Sequence, residues 1–144
     1  SDFTEGQSTQ MVSERKERLT QAIKAQGERN LNKGMEYNFG DVVEHIQIRD
    51  ADRVNLIGLR IKAEQAIAAG APETKWMFRT FENNMHQLDS TEMVALTDQV
   101  LIKYYEIKEP EWFWIDLVTT TFSLTELENI ANDMVSEGYL TEKP

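Results

Sequence analysis

The stretch WMFRTFENNMHQLDSTEMVALTDQVLIKYY, residues 76–105, decides the fold. Residues 76–81 are an aromatic run of strand character. Asn83 and Asn84 tolerate the positive φ that a tight turn needs, and residues 85–88 return as the partner strand. Asp89, Ser90, Thr91 and Glu92 then form a capping-box pattern, in which the Asp89 carboxylate accepts from the third helical amide and Glu92 reaches back. Beyond it Met93, Val94, Leu96, Val100, Leu101, Tyr104 and Tyr105 recur at helical spacing, with Glu92, Gln99, Lys103 and Glu106 on the other side. A hairpin therefore runs directly into an amphipathic helix whose apolar face is the expected main contribution to the core.

Toward the N-terminus, MEYNFGDVVEHIQI at residues 35–48 alternates through Met35, Tyr37 and Phe39, turns at Gly40 and Asp41, and resumes with Val42, Val43, Ile46 and Ile48. This predicts a second short hairpin. Asp50 is placed to cap a helix that ends before Gly70 and Pro72. Its apolar residues form two opposite faces: Val54, Ile57, Gly58 and Ile61 on one, and Leu56, Leu59, Ala63, Ala66 and Ile67 on the other. A helix apolar on two sides is expected to be covered on both, and a mid-helix glycine, unfavourable by about 1 kcal/mol against Ala, predicts close approach by another backbone at Gly58. Residues 10–34 read as a charged helix stopped by Gly34. Val12, Leu19 and Ile23 make a thin apolar stripe along it, suited to packing on the domain or to pairing in a homo-oligomer. Residues 1–9 read as a polar tail.

Toward the C-terminus, Pro110 is expected to interrupt the long helix, because it lacks an amide donor and disfavours helical backbone at Glu109. Residues 111–117 would resume the helix on a changed axis. They contain Trp112, Phe113 and Trp114, three consecutive large rings that cannot all face one core from a helix, so at least one is a protein-interface candidate. A Thr-rich joint at 119–121 leads to a last helix opened by Ser123 and Glu126 and closed by Gly138. The expectation is an α+β, helix-rich single domain with two short antiparallel hairpins, about 35–48 and 76–88, and four to five helices. Its organisation would be a tail at 1–9, a connecting or oligomerising helix at 10–34 and a compact body at 35–144.

The formal charge of -10 is unevenly spread. Residues 1–34 carry six Lys/Arg against five Asp/Glu, residues 35–81 six against seven, and residues 82–144 three against thirteen. So acidic a final third argues against direct binding of nucleic acid or anionic membranes, which depends on Lys and Arg replacing counterions. It also leaves room for a basic partner or for mimicry of nucleic acid. The absence of cysteine excludes disulfides and thiolate metal sites. No apolar run approaches the roughly 18 to 20 residues that cross a bilayer, and no signal-peptide pattern opens the chain.

Motifs for chemistry are sparse. His45 and His86 have Asp41, Glu44, Glu82 and Asp89 as sequence neighbours, at none of the spacings that hold a metal. Glu106, Glu109 and Glu111 sit beside Trp112 and Trp114, but sequence neighbours on one turn do not supply the separated carboxyl pair of a glycosidase. The seven glycines are scattered, without a phosphate-cradling or nucleophile-elbow pattern. The expectation is no catalytic residue, no cofactor and no metal.

The series LNKGMEYNFG, RDADRVNLIGLRIKA, WMFRTFENNMHQLD and STEMVALTDQV, within residues 28–130, resembles a bacteriophage and prophage tail-associated domain of unknown biochemical function found in tail-fibre-like proteins. EPEWFWID and the acidic last helix depart from that pattern. The resemblance implies a non-catalytic structural or assembly protein, in a virion or in host cytoplasm, whose partners are other phage tail or fibre proteins. The alternative in a phage setting is an acidic inhibitor or DNA mimic directed at a host protein.

Overall fold

In the computed structural model, which describes residues 5–144, the order is α1 (Glu5–Asn32), β1 (Met35–Asn38), β2 (Val43–Ile46), α2 (Asp50–Ala68), β3 (Lys75–Arg79), β4 (Met85–Asp89), α3 (Ser90–Thr119) and α4 (Leu124–Ser136). The fold is α+β, with four helices and two antiparallel two-stranded sheets, β1-β2 and β3-β4. Helix α1 begins at Glu5, so the expected tail at 1–9 is helical from there, and its first four residues lie outside the described residues. The chain divides into two units: residues up to 29 with 107–144, and residues 30–106. This differs from the expected split at residue 34. Residues 5–29 of α1 share a unit with the C-terminal helices, because their apolar stripe is covered there.

In the first unit, Leu19 and Ile23 are fully buried with Trp114 and Val118 of α3 and Leu127, Ile130, Ala131 and Met134 of α4, and Val12 packs at the edge. The thin stripe is therefore core, and Leu19 and Ile23 are not available to a second chain. Gly27 permits that packing, since a Cβ there would overlap the buried Glu111 carboxylate. Polar contacts close the unit: Arg15 donates to Glu128 at 2.6 Å and to the Pro144 carbonyl at 2.8 Å, and the Tyr139 hydroxyl donates to the Ile23 carbonyl at 3.0 Å. Ser123 caps α4 by accepting from the Glu126 amide.

Helix α3 does not break at Pro110. Ile107, Glu111, Trp114 and Val118 form one buried stripe across that position, while Pro110 itself faces solvent. Packing of a continuous stripe outweighs a local propensity, and water can serve the carbonyl that the proline leaves without its helical donor.

In the second unit both hairpins pair in register, Met35↔Ile46 to Asn38↔Val43 and Lys75↔Asp89 to Arg79↔Met85. Asn83 adopts φ 67° in the turn. The capping box before α3 is reciprocal: the Glu92 amide donates to Asp89 Oδ1 at 2.7 Å, and the Asp89 amide to Glu92 Oε1 at 3.0 Å. Ser90 is sealed beneath it, accepting from Trp76 Nε1 at 2.7 Å and donating to the Thr74 carbonyl. Helix α2 is capped one residue earlier than expected, at Arg49, whose amide donates to the Asp52 carboxylate.

Two expectations for α2 fail together. Leu56 and Ala63 are buried, but Val54, Ile57 and Ile61 are 68%, 57% and 50% exposed, so among the described residues only one of the two apolar faces is covered. Gly58 lies on the open face, where a Cβ would meet nothing within 4 Å. The close backbone approach in this unit is instead at Gly34, which has φ +70° and would set a Cβ 2.6 Å from the Ile46 carbonyl oxygen. Both the left-handed backbone and a neighbour that cannot swing aside oppose any side chain there. Gly34→Ala is expected to lower unfolding free energy by about 1–3 kcal/mol, checked by urea denaturation at constant m-value.

Candidate functional site

Where the two hairpins of the second unit meet, adjacent residues of β2 each bind the second hairpin. Glu44 points inward and is 2% exposed. Its carboxylate is held by Thr80 Oγ1 at 3.2 Å, Asn84 Nδ2 at 2.5 Å and the His86 Nε2. His45 points outward and its Nδ1 meets Glu82 at 2.8 Å, while the same carboxylate accepts from the His45 amide. The Phe81 amide donates to the His45 carbonyl at 2.9 Å, and Phe39 stacks on the His86 ring at 3.9 Å. Strand alternation explains this division, because neighbouring side chains leave a strand on opposite faces.

These contacts set the electrostatics. Hydrogen bonds from His86, then Asn84, hold the Glu44 carboxyl below its ordinary range, against the opposing effect of burial. The Glu82 carboxyl is lowered by its bond with His45, and His45 is raised by the same bond. Beside His45 a cleft of about 670 Å³ is lined by residues that include Lys33, Glu36, Tyr37, Lys103 and Glu106. Burial, and secondarily Glu92, raise the Tyr37 phenol, which keeps it protonated. The cleft thus presents charges of both signs and a histidine whose protonated form is favoured by its bond with Glu82. Among the described residues no group of three or more His, Asp or Glu is arranged to hold a metal ion. The sequence brought His45, His86, Glu44 and Glu82 to attention as neighbours of two histidines; their cross-pairing was not legible, since it depends on how one hairpin lies on the other.

The interface candidates of the first unit separate cleanly. Trp114 is 5% exposed and belongs to the core, whereas Trp112 and Phe113 are 42% and 56% exposed on α3. Phe113 meets Trp114 edge-on at 5.0 Å, so a buried ring supports an exposed one. Phe122, which no sequence motif marks, is the most exposed large hydrophobic of this unit among the described residues, and Lys16 Nζ sits 3.9 Å from its ring centroid. No helix among the described residues is long and apolar enough to cross a membrane.

Residues 14–107 match a family described as a domain of unknown function, DUF4376, and the chain belongs to that family. The matched span ends ahead of Pro110, Trp112 and Phe113. No curated protein and no solved structure matches the chain significantly.

The pH dependence of the hairpin junction follows from these shifts. Protonated His45 is favoured by folding, so its contribution is complete below the ordinary value of 6.5 and is lost as pH rises through its elevated folded value. Ionised Glu44 and Glu82 are favoured, so theirs is complete above 4.5 and is lost as pH falls through their depressed values. Stability is expected to be greatest between those limits. An NMR titration should place His45 above 6.5, and Glu82→Gln should return it toward that value.

Proposed function

We propose that this protein is a non-catalytic, phage tail-associated structural or assembly protein that acts through contacts with other tail or fibre proteins, in the virion or in host cytoplasm. The observation that carries this reading is the pair Trp112 and Phe113, large rings exposed on α3, of which Phe113 rests edge-on against the buried Trp114. Large aromatic residues, tryptophan among them, are enriched at the hot spots of protein interfaces. The resemblance of residues 28–130 to tail-associated domains supplies the setting. The hairpin junction supports a scaffold role, since Glu44 spends its acceptor capacity on three internal donors.

A second reading, an acidic inhibitor that mimics nucleic acid, is favoured by the six acidic against two basic residues of α3 and the three acidic residues of α4. Several of these carboxylates are already engaged, Glu111 with Lys108 and Glu128 with Arg15 and Lys143. That weakens any continuous track of charge.

Pulldown and titration against tail and fibre proteins separate the two. For a tail contact, Trp112→Ala and Phe113→Ala should each weaken binding by about 2 kcal/mol, roughly 30-fold, with unchanged circular dichroism. Trp114→Ala should instead destabilise the fold by about 3–5 kcal/mol. Binding to a nucleic-acid enzyme that survives both surface substitutions and falls steeply with salt would favour the inhibitor.

A further inference from the structure

Trp112 and Phe113 share their side of α3 with two carboxylates. The surface neighbours of a helical residue lie three and four positions away, so Glu109 precedes both rings and Asp116 follows both. Being seven residues apart, Glu109 and Asp116 stand about 10 Å apart along the axis and within about 20° of each other around it, on the strip between the two rings. Both are exposed. The two lysines of α3 are taken elsewhere, Lys103 facing Glu106 at 4.0 Å and Lys108 bonded to Glu111 at 2.9 Å. Among the described residues neither Glu109 nor Asp116 has an ion pair. The wider field has the same sign, since residues 107–144 carry two Lys against eight Asp/Glu. An exposed aromatic pair is thus bracketed along the helix by negative charge that α3 itself does not balance.

We propose that this face takes a basic amphipathic helix of a partner protein, which presents apolar side chains to Trp112 and Phe113 and Arg or Lys to Glu109 and Asp116. The inference rests on the protein-contact reading above and adds the chemistry of the partner. Charge identifies the occupant. The rings alone would accept any apolar segment, but the carboxylates at either end of them lose water when a partner covers them, and donors of opposite charge offset that loss. A copy of this chain, which carries -10, is repelled instead. Spacing selects the form. Two cations seven residues apart on a helix stand at the same distance of about 10 Å, and the residues three and four positions after the first lie between them, against the rings. A strand sets same-face residues about 7 or 13 Å apart and matches neither. Arginine suits these ends better than lysine, because a guanidinium bonds a carboxylate through two parallel hydrogen bonds and can lie against an indole.

The test uses the full chain and a stapled helical peptide with two central Leu and an Arg pair seven residues apart, together with a twin in which Glu replaces both Arg. Calorimetry at about 50 mM salt should show the Arg peptide binding at least about tenfold more tightly than the Glu peptide. Glu109→Gln with Asp116→Asn should weaken the Arg peptide at least about tenfold. Glu109→Lys with Asp116→Lys should reverse the preference between the peptides, and circular dichroism should be unchanged because both positions are exposed. No binding of the Arg peptide up to about 1 mM would overturn the proposal, as would equal affinity for the two peptides or indifference to the carboxylate substitutions. The two readings fail separately. A tail protein that binds through the rings and does not distinguish the Gln/Asn variant from the unaltered chain keeps the tail contact and sinks the basic helix. Charge-selective binding of the peptide, with no tail protein bound, keeps the basic helix and removes the tail setting.

Discussion

The second unit depends on one buried carboxylate. Two-stranded sheets are marginal by themselves, because each buries little and leaves both edges open. Glu44 joins the two hairpins by taking three donors from the second into a site closed to water, and every buried side-chain polar atom among the described residues has a partner. Such an arrangement gives geometry more than net stability. An apolar cluster of the same shape could be as stable, but it would not fix how one hairpin lies on the other. The outward pair of His45 and Glu82 repeats the link on the wet side of the same strand, where each charge depends on the other for its bias.

Local signals in the sequence were reliable where a single residue type has a single physical use. The capping box at Asp89, the turn at Asn83, the stop at Gly34 and the cap at Ser123 all stand where their chemistry places them. The failures share a different cause. Pro110 predicts a break on local grounds, yet the buried stripe through Ile107, Glu111, Trp114 and Val118 carries the helix across it. The stripe of α1 suits either packing on the domain or pairing with a copy, and the choice is made by α4, more than a hundred residues away. Gly58 predicts a close approach from its place in mid-helix, yet open space lies there. The glycines in tight contacts are Gly34, against the Ile46 carbonyl, and Gly27, against a carboxylate that no periodicity reveals. Of the site, the exposure of some of Trp112, Phe113 and Trp114 was legible from the impossibility of burying all three. Which of them is buried depends on the position of α4.

The surface divides into regions of different character. Acidic residues dominate α3 and α4, whereas α2 is neutral and α1 carries a small positive excess. Long-range repulsion therefore falls unevenly on approaching chains, and contacts are least opposed where net charge vanishes. The exposed rings of α3 sit amid carboxylates instead, which suits a partner with basic residues around an apolar recess. Family membership covers the residues that build the hairpins and α2, and leaves those rings beyond its matched span.

The core of the first unit also bears on the order in which the chain can fold. Both hairpins close between residues near in sequence, so the loops they must form are short and fast. Leu19 and Ile23 must wait for α4, and Arg15 meets Glu128 across a separation of 113 residues. During synthesis α1 leaves the ribosome well before α4 and is covered only after α4 has followed, with its apolar stripe bare while the residues between them are made. The narrowness of that stripe, and the Arg, Lys and Glu that flank it, limit what it can attract in the interval. A wider face would form a stronger core and a longer-lived hazard.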